Sequence, residues 1–171
     1  MPNKNKTKGK TWEREVAKYL SNCYNKSFTR VPDSGAYTGG QNSHRREFLS
    51  ETQIRSRKGD IVPPDDWKHF NAECKSYAEF PFHAFLIEQR IPLLEKWLEQ
   101  TITSAEQGDY SIVFIKINRK GKFLAITPYQ DFTTSRHILY TDSHNNEWLI
   151  TGFEDFFLKN GIILENLCIG K

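Results

Sequence analysis

Asp60, Glu73 and Lys75 combine residue types and spacing that could perform hydrolytic chemistry. Glu73 and Lys75 lie two apart in the alternating segment 69–75, so on a strand both project from one face. Asp60 follows Gly59 and precedes the β-branched Ile61 and Val62, which places it at the start of a strand or within one. Twelve residues separate Asp60 from Glu73. That length allows a hairpin with its loop near 63–68 to bring both carboxylates to one end of a sheet. Two carboxylates converging there repel unless a cation lies between them, and hard oxygen ligands select Mg²⁺ or Mn²⁺. The plainer reading of Glu73 and Lys75 is a surface ion pair, which is common and worth little. Two neighbouring features weigh against it. An upstream helix carries Glu13 and Glu15, one of which can face the sheet. A basic stretch with Arg45, Arg46, Arg55, Arg57 and Lys58 runs up to Asp60, and the planar fork of arginine suits phosphate. Metal, lysine and phosphate-binding arginine are together what phosphodiester hydrolysis requires.

The elements that must position these groups follow from hydrophobic periodicity. Thr11 is a plausible N-cap, and Trp12, Val16, Tyr19, Leu20 and Cys23 recur at helical spacing, which predicts a helix over about 11–23. Residues 1–10, rich in lysine, read as a basic flexible tail. Residues 27–31 form a short β-prone segment ending at the turn Pro32-Asp33-Ser34-Gly35. Residues 35–58 show no firm element and form a basic loop, long enough to be functional rather than a simple connection. Residues 83–107 carry one or two helices, with Pro92 at a kink or restart. Tyr110–Ile117 and Phe123–Ile126 form a hairpin around Arg119-Lys120-Gly121, and Phe153–Leu158 is an aromatic helix candidate. The expected fold is α/β: a single domain over 11–171 with a central mixed sheet flanked by helices.

Composition bounds the partners. The 171 residues carry a net charge of +3, but unevenly. Residues 1–58 hold 13 Lys+Arg against 5 Asp+Glu, a surplus of eight, while residues 59–171 hold 11 against 16, a deficit of five. That gradient suits a protein that lays one face on a polyanion. Cys23, Cys74 and Cys168 are odd in number and widely spaced, which indicates neither a disulfide framework nor a structural zinc site. His83 and His144 have no partner at metal-ligand spacing, and Asp33-Ser34-Gly35 lacks the frame of a nucleophile elbow. No apolar run reaches the roughly 20 residues of a membrane span, so the expectation is a soluble, cytoplasmic protein with no membrane partner and no organic cofactor.

Gly59-Asp60, twelve residues, then Glu73-Cys74-Lys75, behind a helix bearing Glu13-Arg14-Glu15, resembles the PD-(D/E)XK nuclease superfamily. Within it the chain is most similar to archaeal-type and phage Holliday-junction resolvases. Their G-x-x-x-E-R-E-Φ helix, where Φ is apolar, matches Gly9 to Val16. Their R-x-x-x-S element matches Arg30 to Ser34, and their D-Φ and E-x-K-[ST] elements match Asp60-Ile61 and Glu73 to Ser76. Two departures stand out: residues 35–59 intervene between the serine and the aspartate, and the C-terminal part is longer than a minimal resolvase needs. The resemblance implies a restriction-endonuclease-like core and an Mg²⁺-dependent endonuclease acting on DNA, with Mn²⁺ able to substitute. It assigns Asp60, Glu73 and the Cys74 backbone carbonyl as metal ligands, Glu13 as an acid reaching the metal through water, and Lys75 as a catalytic residue. It places Arg14, Arg30 and Ser34 on phosphate near the cut, with Arg45, Arg46, Arg55, Arg57 and Lys58 on the DNA backbone. Junction resolution by paired cuts further implies a homodimer. The alternatives are a restriction- or replication-repair-type nuclease on duplex or flap DNA, and a non-catalytic DNA-binding module on the same scaffold.

Overall fold

The computed structural model describes residues 4–32, 58–87 and 90–170. Helix α1 spans Lys4–Tyr24, beginning ahead of the residue 11 that the periodicity predicts. Lysine is a good helix former, and a preformed helix downstream spares residues 4–10 the cost of nucleation. Trp12, Val16, Ala17 and Leu20 are buried along one stripe of α1, at the spacing that a helix lying on a sheet requires. The indole N–H of Trp12 donates to the carbonyl of Phe114 at 2.9 Å and ties the helix to the sheet.

Two short strands follow, β1 (Thr29–Arg30) and β2 (Ile61–Val62), antiparallel to each other. Strand β3 is Phe70–Tyr77; helix α2 is Ala84–Ile87; helix α3 is Pro92–Ser104, with Pro92 in its first turn. Strands β4 (Tyr110–Ile117), β5 (Gly121–Thr127), β6 (His137–Thr141) and β7 (Glu147–Gly152) lead into helix α4, Phe153–Ile169. The main sheet has the order β3-β4-β5-β7-β6. Strands β3 and β4 are parallel, joined by the α3 crossover, and the remaining pairs are antiparallel. This is the expected α/β class with a mixed central sheet. The expected β2–β3 hairpin is not formed: β2 takes its ladder partner from β1, and β3 takes its partner from β4.

The sheet is covered on both faces. Cys74, Ile112, Phe114, Leu124, Ile126 and Leu149 meet α1 and α4 on one side. Val113, Ile115, Ile117, Ala125, Trp148 and Ile150 meet α2 and α3 on the other. Each large side chain removed from water in these layers contributes on the order of 1.5–3 kcal/mol before the entropic cost of ordering it. Among the described residues no helix is long and apolar enough to cross a membrane.

Candidate active site

Strand β3 is an edge strand of the main sheet among the described residues, and the polar cluster is built on that edge. Gly59 starts it. Its φ of +65° is a left-handed conformation, and a Cβ there would stand 2.3 Å from the Ala72 carbonyl oxygen, so only glycine allows the chain to press against β3 at this point. The next residue is thereby docked twice. The Asp60 N–H donates to the Ala72 carbonyl at 2.8 Å, and the Asp60 Oδ2 accepts the Cys74 N–H at 2.8 Å. Asp60 thus occupies the open edge of β3 as a neighbouring strand would, bringing a carboxylate in place of a ladder carbonyl.

Pleating then separates the next three side chains. Cys74 turns into the layer under α1, its thiol pushed well up by burial and then by the surrounding carboxylates, as a packing cysteine. Glu73 and Lys75 share the opposite face, with Lys75 Nζ 2.9 Å from Glu73 Oε2. A third side chain completes the arrangement: Gln100 of α3 donates to Glu73 Oε2 at 3.0 Å and accepts from Lys75 Nζ at 2.7 Å. Gln100 carries no sequence signal of its own. It follows the buried Trp97 by three residues on the crossover helix that must return over β3.

On α1, Glu13 is buried and paired with the Arg30 side chain, and Arg30 also donates to the Pro32 carbonyl at 3.3 Å. Burial raises the Glu13 carboxyl above its ordinary range and the Asp60 charge adds to this, with Arg30 opposing. Burial likewise raises the Glu73 carboxyl, Asp60 reinforces the shift, and Lys75 opposes it. The Asp60 charge therefore acts on both Glu13 and Glu73 at the β3 edge, and a cation placed among them would relieve the repulsion.

Among the described residues no group of three or more His, Cys, Asp or Glu side chains closes on a single point. The donor set at the edge is therefore sparse: the Asp60 and Glu73 carboxylates and adjoining backbone. Such a set suits a hard divalent ion that keeps several of its own waters, and does not suit a closed zinc site.

The described structure brings Glu13, Arg30, Asp60, Glu73 and Lys75 into one region. Arg14 is exposed on α1. Glu15 turns away to pair with Lys116 at 2.7 Å. Lys58, expected on the DNA backbone, is placed in the interior. Its side chain is buried in an ion pair with Asp109 and lies 3.2 Å from Glu106, so its charge is already satisfied inside the protein and it anchors the chain just ahead of Gly59. Ser34, Arg45, Arg46, Arg55 and Arg57 lie outside the described residues.

Comparison with known families adds one finding. Residues 4–163 match the family described as "Phage putative PDDEXK endonuclease". No curated protein and no solved structure matches the chain.

Proposed function

The chain belongs to this phage PDDEXK endonuclease family, and on that basis we propose that it is an Mg²⁺-dependent endonuclease that cuts branched DNA in the manner of a junction resolvase. The observation that carries this reading is the docking of Asp60 beside Glu73 and Lys75 on the β3 edge. Asp60, Glu73 and the Cys74 carbonyl would hold the ion, with Mn²⁺ able to replace it, and Glu13 would reach it through water. When bound, the ion supplies Lewis-acid activation of water and neutralises charge on the phosphate.

The chain's own residues do the rest. Lys75 has three N–H donors, of which Glu73 and Gln100 engage two. The third is left for the attacking water or a phosphate oxygen, where an ammonium stabilises the charge that builds up during attack. Glu73 and Gln100 together hold the lysine in one rotamer, so its position is set before substrate arrives. Arg30, fixed by Glu13, would with Arg14 and Ser34 steady the phosphate near the cut. Arg45, Arg46, Arg55 and Arg57 would hold the flanking DNA backbone without reading sequence. Residues 11–171 would act as one nuclease domain, and paired cuts across a junction would require a two-fold homodimer.

The test is cleavage of linear duplex, flap, single-stranded and four-way-junction DNA with Mg²⁺, with the cut positions mapped. Symmetric nicks confined to the branch point are expected. Asp60→Asn, Glu73→Gln and Lys75→Ala should each abolish cutting while the protein still folds and binds DNA. Wild-type cleavage by the Glu73→Gln protein would sink the assignment.

A further inference from the structure

A cavity of about 370 Å³ opens beside α2 on the face of the sheet that also carries Glu73 and Lys75. Its apolar lining is Phe82, Phe85, Phe123, Ile138 and Ile150. These side chains do not close over it: Phe82 is 42% exposed and Ile138 39% exposed. The rings of Phe82 and Phe123 stand 5.6 Å apart, tilted by 60°, and neither belongs to the site described above. Lys120 and Arg136 stand on the rim together with His137. Lys122 also lines the cavity, but its ammonium sits 5.6 Å over the Trp12 ring and 3.9 Å from Glu154. Lys120 and Arg136 have no ion-pair partner among the described residues, and no acidic side chain lines the cavity. The place thus combines an open aromatic and aliphatic surface with two uncommitted cations.

Its position relative to Lys75 follows from the strand register. Lys75 pairs with Ile115 and Ile115 pairs with Phe123, so the three lie in one row across β3, β4 and β5. Strands about 4.8 Å apart put Phe123 roughly 10 Å from Lys75, about three base steps of 3.4 Å. We propose that this cavity receives an unpaired base of the DNA strand that runs through the active site, with the base against Phe82 and Phe123 and its phosphates on Lys120 and Arg136. Aromatic faces flanked by lysine and arginine are the chemistry by which single strands are held, because every base offers a π-face and every nucleotide a charge. The proposal rests on the nuclease reading and sharpens it: the preferred substrate carries unstacked nucleotides next to the cut. A second copy of the chain fits this surface less well, because a two-fold contact through it would set Lys120 and Arg136 against their own counterparts.

The test is direct binding without metal, so that no cutting intervenes. Fluorescence anisotropy of a short labelled oligo(dT) and of a blunt duplex in EDTA would compare the wild type with Phe82→Ala, Phe82→Trp and Arg136→Ala. All three changes are at exposed positions, and thermal melting checks the fold. Phe82→Ala and Arg136→Ala should weaken oligo(dT) binding, Phe82→Ala by about tenfold, from the value of one base–aromatic stack. Duplex binding should stay within about twofold, and Phe82→Trp should retain oligo(dT) affinity. Unchanged oligo(dT) binding in Phe82→Ala and Arg136→Ala, or no oligo(dT) binding by the wild type, overturns the proposal. So does a change in sedimenting mass with DNA binding intact, which would make the surface a contact between copies. Phe82-dependent binding by a protein that cuts no DNA would uphold the cavity and overturn the nuclease reading. Active cutting with Phe82-independent binding would do the reverse.

Discussion

Gln100 has the position of a residue that acts through others. It touches both Glu73 and Lys75, and its amide can satisfy the two at once because one end donates and the other accepts. Leucine in its place would leave a carboxylate and an ammonium to find new partners on a partly buried strand. The ammonium would then sample several rotamers instead of one. Gln100→Leu is expected to lower kcat by about 10- to 100-fold, the usual cost of losing an outer-shell orienting partner, with DNA affinity and melting temperature nearly unchanged. Steady-state cleavage combined with anisotropy binding separates these quantities. A parallel fall in affinity would show that Gln100 touches substrate instead. The contrast with Lys58 is instructive: Lys58 lies two residues from Asp60 in sequence, yet it is locked to Asp109 in the interior. Removing one member of a buried pair costs several kcal/mol because the survivor is left uncompensated.

Asp142 organises the turn between β6 and β7 almost alone. Its carboxylate accepts from the backbone N–H groups of His144 and Asn146, from the Asn146 amide and from the Trp148 indole at 2.8–3.2 Å. Nearby, Glu95 of α3 accepts from the Tyr140 hydroxyl at 2.6 Å and the Ser143 N–H at 2.9 Å, joining helix to hairpin. Burial pushes both carboxyls up, but these donors outweigh it and leave both below their ordinary values of 3.8 and 4.5. A carboxyl depressed in the folded state adds stability that is complete above the unfolded value and is lost as pH falls through the folded one. Stability should therefore decline from about pH 4.5 downward, and Asp142→Asn should flatten part of that decline while costing about 1–3 kcal/mol at neutral pH. Urea midpoints measured across the acid range check both; an unaltered acid limb in Asp142→Asn would assign the decline elsewhere.

The same turn explains why the hairpin escapes a sequence reading. His137–Thr141 and Glu147–Gly152 are short, and what joins them is a side-chain network rather than an Asn-Gly or Asp-Gly pair. The Asp60, Glu73 and Lys75 pattern was legible because two of its members share one strand, where alternation dictates the face. Gln100 was not, because its approach depends on where the α3 crossover lies. Strand β2 was assigned to the wrong partner because Thr29–Arg30 is only two residues long. Helix α4 runs well past Leu158 to Ile169, through Gly161, a lone glycine that costs a helix only about 1 kcal/mol. In the folded chain it is where α4 meets the end of α1, a Cβ there standing 3.9 Å from the Cys23 sulfur and the Tyr24 hydroxyl.

For the whole molecule the organising quantity is the charge gradient. The surplus of eight over residues 1–58 ends just before Asp60, and Lys58 is withdrawn from it by Asp109. Lys26 is likewise engaged, with Asp66 and Glu165 at 2.7 and 3.0 Å, and Arg30 is shared with Glu13. On the proposed reading, the cations of this segment left for DNA are the lysines that begin the chain, the exposed Arg14 and Lys18, and Arg45, Arg46, Arg55 and Arg57, which lie outside the described residues. If those four arginines each neutralise one phosphate, replacing all of them with glutamine should reduce the slope of log K against log salt by about 3–4, at roughly 0.9 per contact on duplex. Affinity at low salt should fall accordingly. The described groups that form the β3 edge, Gly59, Asp60, Glu73, Lys75 and Gln100, are all kept in this variant, so excess Mg²⁺ and saturating DNA should restore cutting close to the wild-type rate. Binding isotherms at several salt concentrations, followed by single-turnover cleavage at saturation, measure the two properties separately. An unchanged salt slope would move the DNA-binding face to another part of the molecule. A lost single-turnover rate would show that the basic segment also helps build the catalytic edge.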